Sequence, residues 1–198
     1  MRISESLDQD MAAGALNGSH APQCAARCVG IVIAVPEPMA SELKDARASF
    51  GDPLAAVIPA HITLVTTTET DDWEATLNHV RDVAAAQKPF RVTLDGTASF
   101  RPVSPVVYLN VGEGFDECTA LHKELQSGPL ARELAFPFHP HVTVAHDVSE
   151  QGMDEAVRRL SGYSAGFTVD RVGLYEHDAT GLWKLHEHVR LGARDRRS

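Results

Sequence analysis

The chain has 198 residues, 43% of them hydrophobic and 23% charged, the balance of one soluble domain or of two small lobes sharing a core. Its formal net charge of −9 excludes tight, sequence-independent binding of long RNA or DNA, which needs many phosphate-neutralising Lys and Arg side chains. A small phosphorylated ligand remains compatible with that charge.

Three cysteines, Cys24, Cys28 and Cys118, form an odd set without framework spacing, which predicts reduced thiols. The first residues, "MRISESLDQDMAAGALNGSH", place acids where a signal peptide needs basic residues and contain no apolar segment. No run approaches the length of a membrane span. These features predict a cytoplasmic protein.

In chain order, residues 1–27 are small, polar and aperiodic and read as a flexible leader. "CVGIVIAVP" (28–36) is a buried-strand run ended by Pro36. In "EPMASELKDARASFG" (37–51), Met39, Leu43, Ala46 and Phe50 share one helical side, and Gly51 stops the helix. "AHITLVT" (60–66) is a strand. "DDWEATLNHVRDVAAAQ" (71–87) is an amphipathic helix with acids in its first turn, where the helix dipole favours them. "FRVTLDGTASF" (90–100) alternates like a half-exposed strand.

The order then begins again. "PVVYLNVG" (105–112) is a strand, and "FDECTALHKELQSG" (115–128) a helix with Gly128 as its C-cap candidate. "PHVTVAHDV" (140–148) is a strand. "SEQGMDEAVRRLSGY" (149–163) is a helix opened by Ser149 as N-cap candidate. "GFTVDRVGLYEHD" (166–178) reads as one strand. A turn containing Thr180 and Gly181 leads to the last strand, "GLWKLHEHVRLG" (181–192). A charged tail occupies 193–198.

Strand–helix–strand–helix–strand thus occurs twice, in repeat halves of about 28–100 and 105–178. "AHITLV" (60–65) echoes "PHVTVA" (140–145), with the histidines 80 residues apart, 141 minus 61. The prediction is a single bilobal domain over 28–192. Its class is α+β, a duplicated lobe whose equivalent strands meet across a central cleft.

The echoed motif carries the chemistry. Residues i and i+2 of a strand share a face, about 6.6 Å apart along it. His61 and Thr63 therefore lie opposite Ile62 and Leu64, and His141 and Thr143 opposite Val142 and Val144. The apolar faces belong to the core, and the His/Thr faces line the cleft. Two imidazoles titrating near neutrality suit a reaction in which one proton is removed and another supplied. Two hydroxyls beside them suit the non-bridging oxygens of a phosphate. The implied reaction is in-line attack on a phosphodiester, and no carboxylate cluster stands beside the motifs to hold Mg²⁺. One His-x-Thr on a strand is a common accident; two in corresponding places of a repeat are not.

At "HITL" (61–64) and "HVTV" (141–144) the sequence resembles the 2H phosphoesterase superfamily, defined by two His-x-Thr/Ser-x motifs ending in a hydrophobic residue. The resemblance spans roughly 28–192 and looks closest to the bacterial 2′–5′ RNA ligase-like branch, through "PAHITLV" and "FHPHVTVAH". It implies a metal-independent phosphodiesterase that hydrolyses 2′,3′-cyclic phosphates of nucleotides or RNA ends, with reversible 2′–5′ RNA joining as a further activity of some members. It also implies two pseudo-symmetric lobes of antiparallel β-sheet with outer helices around the cleft, His61 and His141 as the general acid/base pair, and Thr63 and Thr143 as phosphate holders. No cofactor is expected. The expected ligand is a small cyclic nucleotide or short RNA end, with no DNA and no membrane partner, and the chain is expected to be a monomer. The alternative is a non-catalytic nucleotide- or RNA-end-binding module on the same fold.

Secondary candidates surround this pair. His139 is a substrate-binding candidate if the strand already runs there, although a solvated loop before Pro140 is the expected setting. His146 is out of phase with His141 and reads as structural. Tyr175 is a further substrate-binding candidate, and Phe136, Phe138 and Trp183 could also stack on a base, though packing is the commoner role. Arg101 and Lys184 could supply charge but read as solvated surface. His79 and His122 fall on helices and are expected to be exposed. A zinc hydrolase would recruit His139 with His141, or His186 with His188, but no third ligand of fixed spacing supports it.

Overall fold

A computed structural model describes residues 27–177 and 183–192. The expected leader, the turn with Thr180 and Gly181, and the charged tail fall outside the described residues, apart from Arg27. The described elements, in chain order, are β1 (Arg27–Ala34), α1 (Met39–Ser49), β2 (His61–Thr70), α2 (Trp73–Ala86), β3 (Phe90–Ser99), β4 (Val106–Val111), α3 (Phe115–Leu125), a 3₁₀ turn (Gly128–Leu130), β5 (His141–His146), α4 (Glu150–Leu160), β6 (Ser164–Val169), β7 (Arg171–His177) and β8 (Trp183–Arg190). Asp72 and Ser149 cap α2 and α4, accepting from the amides of Ala75 and Gly152.

The strands form two four-stranded sheets, in the orders β2-β1-β7-β8 and β5-β4-β3-β6. All six ladders are antiparallel. Helices α2 and α3 cover the outside of the first sheet, against β8 and β2, while α1 and α4 cover the second. The sheets touch through β2 and β5. The architecture is the expected one: two lobes of antiparallel sheet with outer helices around a cleft. Neither sheet is drawn from one half of the chain, however, because β3 crosses into the second sheet and β7 returns to the first.

The stretch 166–178, expected as a single strand, is two strands in different sheets. Phe167 and Val169 are buried at odd positions, and Val172 and Leu174 at even ones. The parity flips at Asp170, which separates β6 from β7. Gly128 does not cap α3, whose C-cap is Gln126; it opens the 3₁₀ turn instead, with φ 55°. His122 is buried rather than exposed, and His79 is half-buried against the Leu125 carbonyl. Cys118 is a buried free thiol whose pKa burial pushes up to about 12. Cys28 is disulfide-bonded, which corrects the expectation of reduced thiols at that position. Among the described residues no helix is long and apolar enough to cross a membrane.

Two contacts tie this frame to the cleft. Arg47 on α1 donates from Nε to Asp52 Oδ2 at 2.8 Å and from Nη1 to the Ile58 carbonyl, while Asp52 Oδ1 accepts from the Leu54 amide. Both side chains are buried, so the pair rivets loop 51–60 to α1 just before β2 begins. On the other side, His122 Nδ1 donates to the Leu64 carbonyl of β2 at 2.7 Å, and its ring stacks on Phe138 at 3.9 Å. A helix from the second half of the chain thereby grips a strand from the first.

Removing one partner of a buried pair leaves an uncompensated charge, so Asp52→Ala is expected to lower stability by about 3–5 kcal/mol, read by urea unfolding. Burial, the largest cause, lowers the pKa of His122 below its ordinary 6.5. Between that lowered value and 6.5, the unfolded chain binds a proton that the folded chain refuses, so stability is lost as pH falls through the window. In His122→Asn, the drop in unfolding free energy between about pH 7 and about pH 5 is expected to be smaller than in the parent chain.

Candidate active site

Strands β2 and β5 are built on the same alternation. Ile62, Leu64, Val142 and Val144 are at most 1% exposed and belong to the core. His61, Thr63, His141 and Thr143 are half-buried on the opposite faces. Both strands lie at sheet edges and pack on each other. The seam between the sheets therefore brings the two His/Thr pairs onto neighbouring strands.

Each histidine is held in the same way. His61 Nδ1 lies 2.8 Å from the Pro59 carbonyl, and His141 Nδ1 lies 2.7 Å from the His139 carbonyl. A carbonyl oxygen can only accept, so Nδ1 carries the proton in both rings and Nε2 holds the lone pair in the neutral form. The carbonyl two residues upstream thus sets both tautomer and ring plane. This is the arrangement a general acid/base needs, since Nε2 can take a proton or return one without the ring turning.

The neighbours of the two histidines differ. On the first sheet, Ala34 pairs with His61 and Val32 with Thr63. On the second, Asn110 pairs with His141 and Tyr108 with Thr143. The His141 ring packs edge-on against Phe100 and at a tilt to Tyr108, with centroids 5.1 and 5.0 Å away. Sequence reasoning passed over Tyr108, Asn110 and Phe100. The signal for the first two was present: in "VVYLNV" they share a parity opposite the buried Val107, Leu109 and Val111.

His139 lies in the loop before β5, as expected, but it is half-buried rather than solvated. Its ring is enclosed by Phe100, Tyr108 and Phe115 and stands 6.1 Å from that of His141. Its Nδ1 is buried without a hydrogen-bond partner. Burial first, and the nearby His141 second, lower its pKa, so the protonated form of His139 is disfavoured beside His141.

The remaining candidates are dispersed. Tyr175 shares the cleft face with Thr63 through the pairings Thr63–Val32–Gly173 and Gly30–Tyr175. Its ring lies over Gly173, where an added Cβ would meet Cε2 at 2.8 Å, and burial raises its pKa. Phe138 is engaged with His122, and Trp183 stands 5.0 Å from His177. Phe136 is half-buried, and Lys184 and His188 are exposed. Arg101 bonds Glu150 and Asp154, which commits its charge to carboxylates of α4. His186 packs on Trp73, and His146 is buried. Among the described residues no group of three or more His, Cys, Asp or Glu is placed to hold a metal ion.

Comparison with known proteins agrees with this frame. The profile described as "2'-5' RNA ligase superfamily" matches residues 35–181. A Bacillus thuringiensis (strain Al Hakam) protein named "Putative phosphoesterase" is 33% identical over 168 residues, covering 83% of this chain and 96% of its own. A Bacillus cereus (strain AH187) relative, also named a putative phosphoesterase, matches with the same identity and coverage. Among solved structures, TT0787 of Thermus thermophilus aligns with a TM-score of 0.59 at 21% identity, over 83% of this chain and 98% of that one. E. coli LigT complexed with 3′-AMP aligns with a TM-score of 0.58 at 23% identity, again over 83% and 98%. These two likenesses concern the fold: paired antiparallel sheets with outer helices. With the profile covering most of the chain and the Bacillus relatives matched nearly end to end, the protein belongs to the 2′–5′ RNA ligase superfamily of 2H phosphoesterases.

Proposed function

We propose that this phosphoesterase hydrolyses 2′,3′-cyclic phosphates of nucleotides or short RNA ends, with His61 and His141 as the acid/base pair. The observation that carries the reading is the duplicated anchoring of Nδ1 to a carbonyl two residues upstream, in two histidines followed on the same face by threonines. One neutral histidine removes a proton from water at Nε2 as the water oxygen bonds to phosphorus. The other, protonated, gives its Nε2 proton to the ribose oxygen as the phosphorus–oxygen ring bond breaks. Thr63 and Thr143 donate to the non-bridging oxygens. Protons balance over the cycle, and the pair ends in the opposite protonation state, which solvent resets. A ribose 5′-hydroxyl in place of water would turn the same steps into 2′–5′ joining.

Further support comes from LigT, which shares this fold and has been solved with 3′-AMP and with phosphate. In this chain the net charge of −9 favours a ligand with few phosphates. Tyr175, two strands across the first sheet from Thr63 and on the same face, offers an aromatic ring suited to stacking on a base. The lowered pKa of His139 disfavours a second positive charge beside His141.

His61→Ala and His141→Ala are each expected to lower kcat/KM on nucleoside 2′,3′-cyclic phosphates by about 10²–10⁴-fold. Thr63→Val and Thr143→Val each remove a hydrogen bond to a charged group and are expected to cost about tenfold or more. The kcat/KM profile against pH should be bell-shaped, and EDTA should leave turnover unchanged. Tight binding of 3′-AMP without turnover of any cyclic phosphate or 2′–5′ dinucleotide would instead identify a nucleotide-binding module.

A further inference from the structure

The cleft face of the second sheet carries a polar row that the acid/base pair does not use. It starts at His141 on β5, whose partner on β4 is Asn110. Asn110 Nδ2 donates to the carbonyls of Asp95 and Gly96 on β3, at 3.3 and 3.4 Å. Asp95 in turn pairs with Ser164 on β6. Val92 and Leu94 are fully buried on the helix side, so Thr93 and Asp95 point toward the cleft.

The Asp95 carboxylate is held at both oxygens. Thr93 Oγ1 donates to Oδ2 at 2.6 Å, and Ser164 Oγ donates to Oδ1 at 3.0 Å. Thr93 is itself placed by the Glu113 amide, which donates to its hydroxyl at 2.9 Å. Gly112, just after β4, makes room for this cluster: a Cβ there would stand 2.6 Å from Asp95 Oδ2 and 2.8 Å from Thr93 Oγ1. The carboxylate therefore lies over the backbone at the end of β4 with its plane set, and its residue is exposed.

The carboxylate over Gly112 is one strand across from β5 and two residues along from Asn110, the partner of His141, about 8 Å in all, comparable with the reach of one nucleoside from its cyclic phosphate to the far edge of its base. At that separation salt screens most of the repulsion between carboxylate and phosphate. What remains is short-range: a fixed, acceptor-only group. Such a group fits an edge with two adjacent N–H donors, as in a bidentate pair. Guanine presents N1–H beside its 2-amino group. Adenine and cytosine place an acceptor next to their amine, and uracil flanks its N–H with two carbonyls, so each sets a lone pair against the carboxylate.

We propose that Asp95, oriented by Thr93 and Ser164, reads the nucleobase, and that this cleft prefers guanine at the cyclic-phosphate end. The proposal rests on the cyclic-phosphate reading and deepens it. The test measures kcat and KM for the four nucleoside 2′,3′-cyclic phosphates with the parent chain, Asp95→Asn and Ser164→Ala, alongside the equilibrium affinity of each protein for 3′-GMP and 3′-UMP. Thermal melting of each variant confirms folding. The parent is expected to favour the guanosine substrate over the uridine one by about tenfold, carried by KM, the low end for a bidentate contact in an exposed setting. Asp95→Asn should bring that ratio close to one, and Ser164→Ala should give an intermediate ratio. Equal values for all four nucleotides in the parent, or a guanine preference that survives Asp95→Asn, would overturn the proposal. If no cyclic phosphate is turned over, the catalytic reading fails by itself. The affinities then decide base reading alone: a 3′-GMP preference lost in Asp95→Asn supports it, and equal affinities sink it.

Discussion

The side-chain alternation of β2 and β5 is the constraint on which the rest of the molecule depends. Each strand commits one face to the core through two aliphatic residues, Ile62 with Leu64 and Val142 with Val144. Burial of such side chains is worth about 1.5–3 kcal/mol apiece. A slip of one residue would expose both and bury a histidine and a threonine in their place. The penalty falls twice, on the lost apolar burial and on the unpaired polar groups. Core packing therefore holds the histidines and threonines outward, and no interaction of their own is needed to turn them toward the cleft.

The second requirement, orientation of the rings, is met by backbone. Pro59 and His139 each present a carbonyl to the histidine two residues on, and the residues between, Ala60 and Pro140, are buried. On the first sheet, the approach to this contact is held by the Arg47–Asp52 pair and its grip on the Ile58 carbonyl. On the second, it is held by aromatic packing of His139 and by Phe138 stacked on His122. The motifs match, but their supports differ. The pseudo-symmetry is thus closer at the His/Thr pairs than in the scaffold behind them.

The exchange of elements between sheets makes the cleft a property of the whole chain. Helix α3 follows β4 of the second sheet yet packs on β2 of the first, and α1 follows β1 yet packs on β5. Neither sheet has its outer cover without the other half of the sequence. Elements were mostly legible locally: the cap at Ser149, alternation in the strands, and helical spacing on α1 and α2. The run from 166 to 178 was misread because a β-rich stretch hides a break that only the parity of Val169 and Val172 betrays. His122 was misread because its helix faces a strand some 58 residues away in sequence, a contact no local pattern encodes.

The sequence by itself determined the chemistry on offer: two His-x-Thr steps on β-branched strands, with period two deciding which side chains share a face. That information is local, because alternation and aliphatic content act within a few residues of the chain. The way those groups are arranged came from the fold. It set the tautomer through a carbonyl contact and joined the motif strands at the seam between sheets. It enclosed His139 among three aromatic rings and aligned Asn110, Asp95 and Ser164 in one row with His141. Each of these outcomes depends on ladder register and on helix cover between segments far apart in the chain, and long-range packing alone selects them.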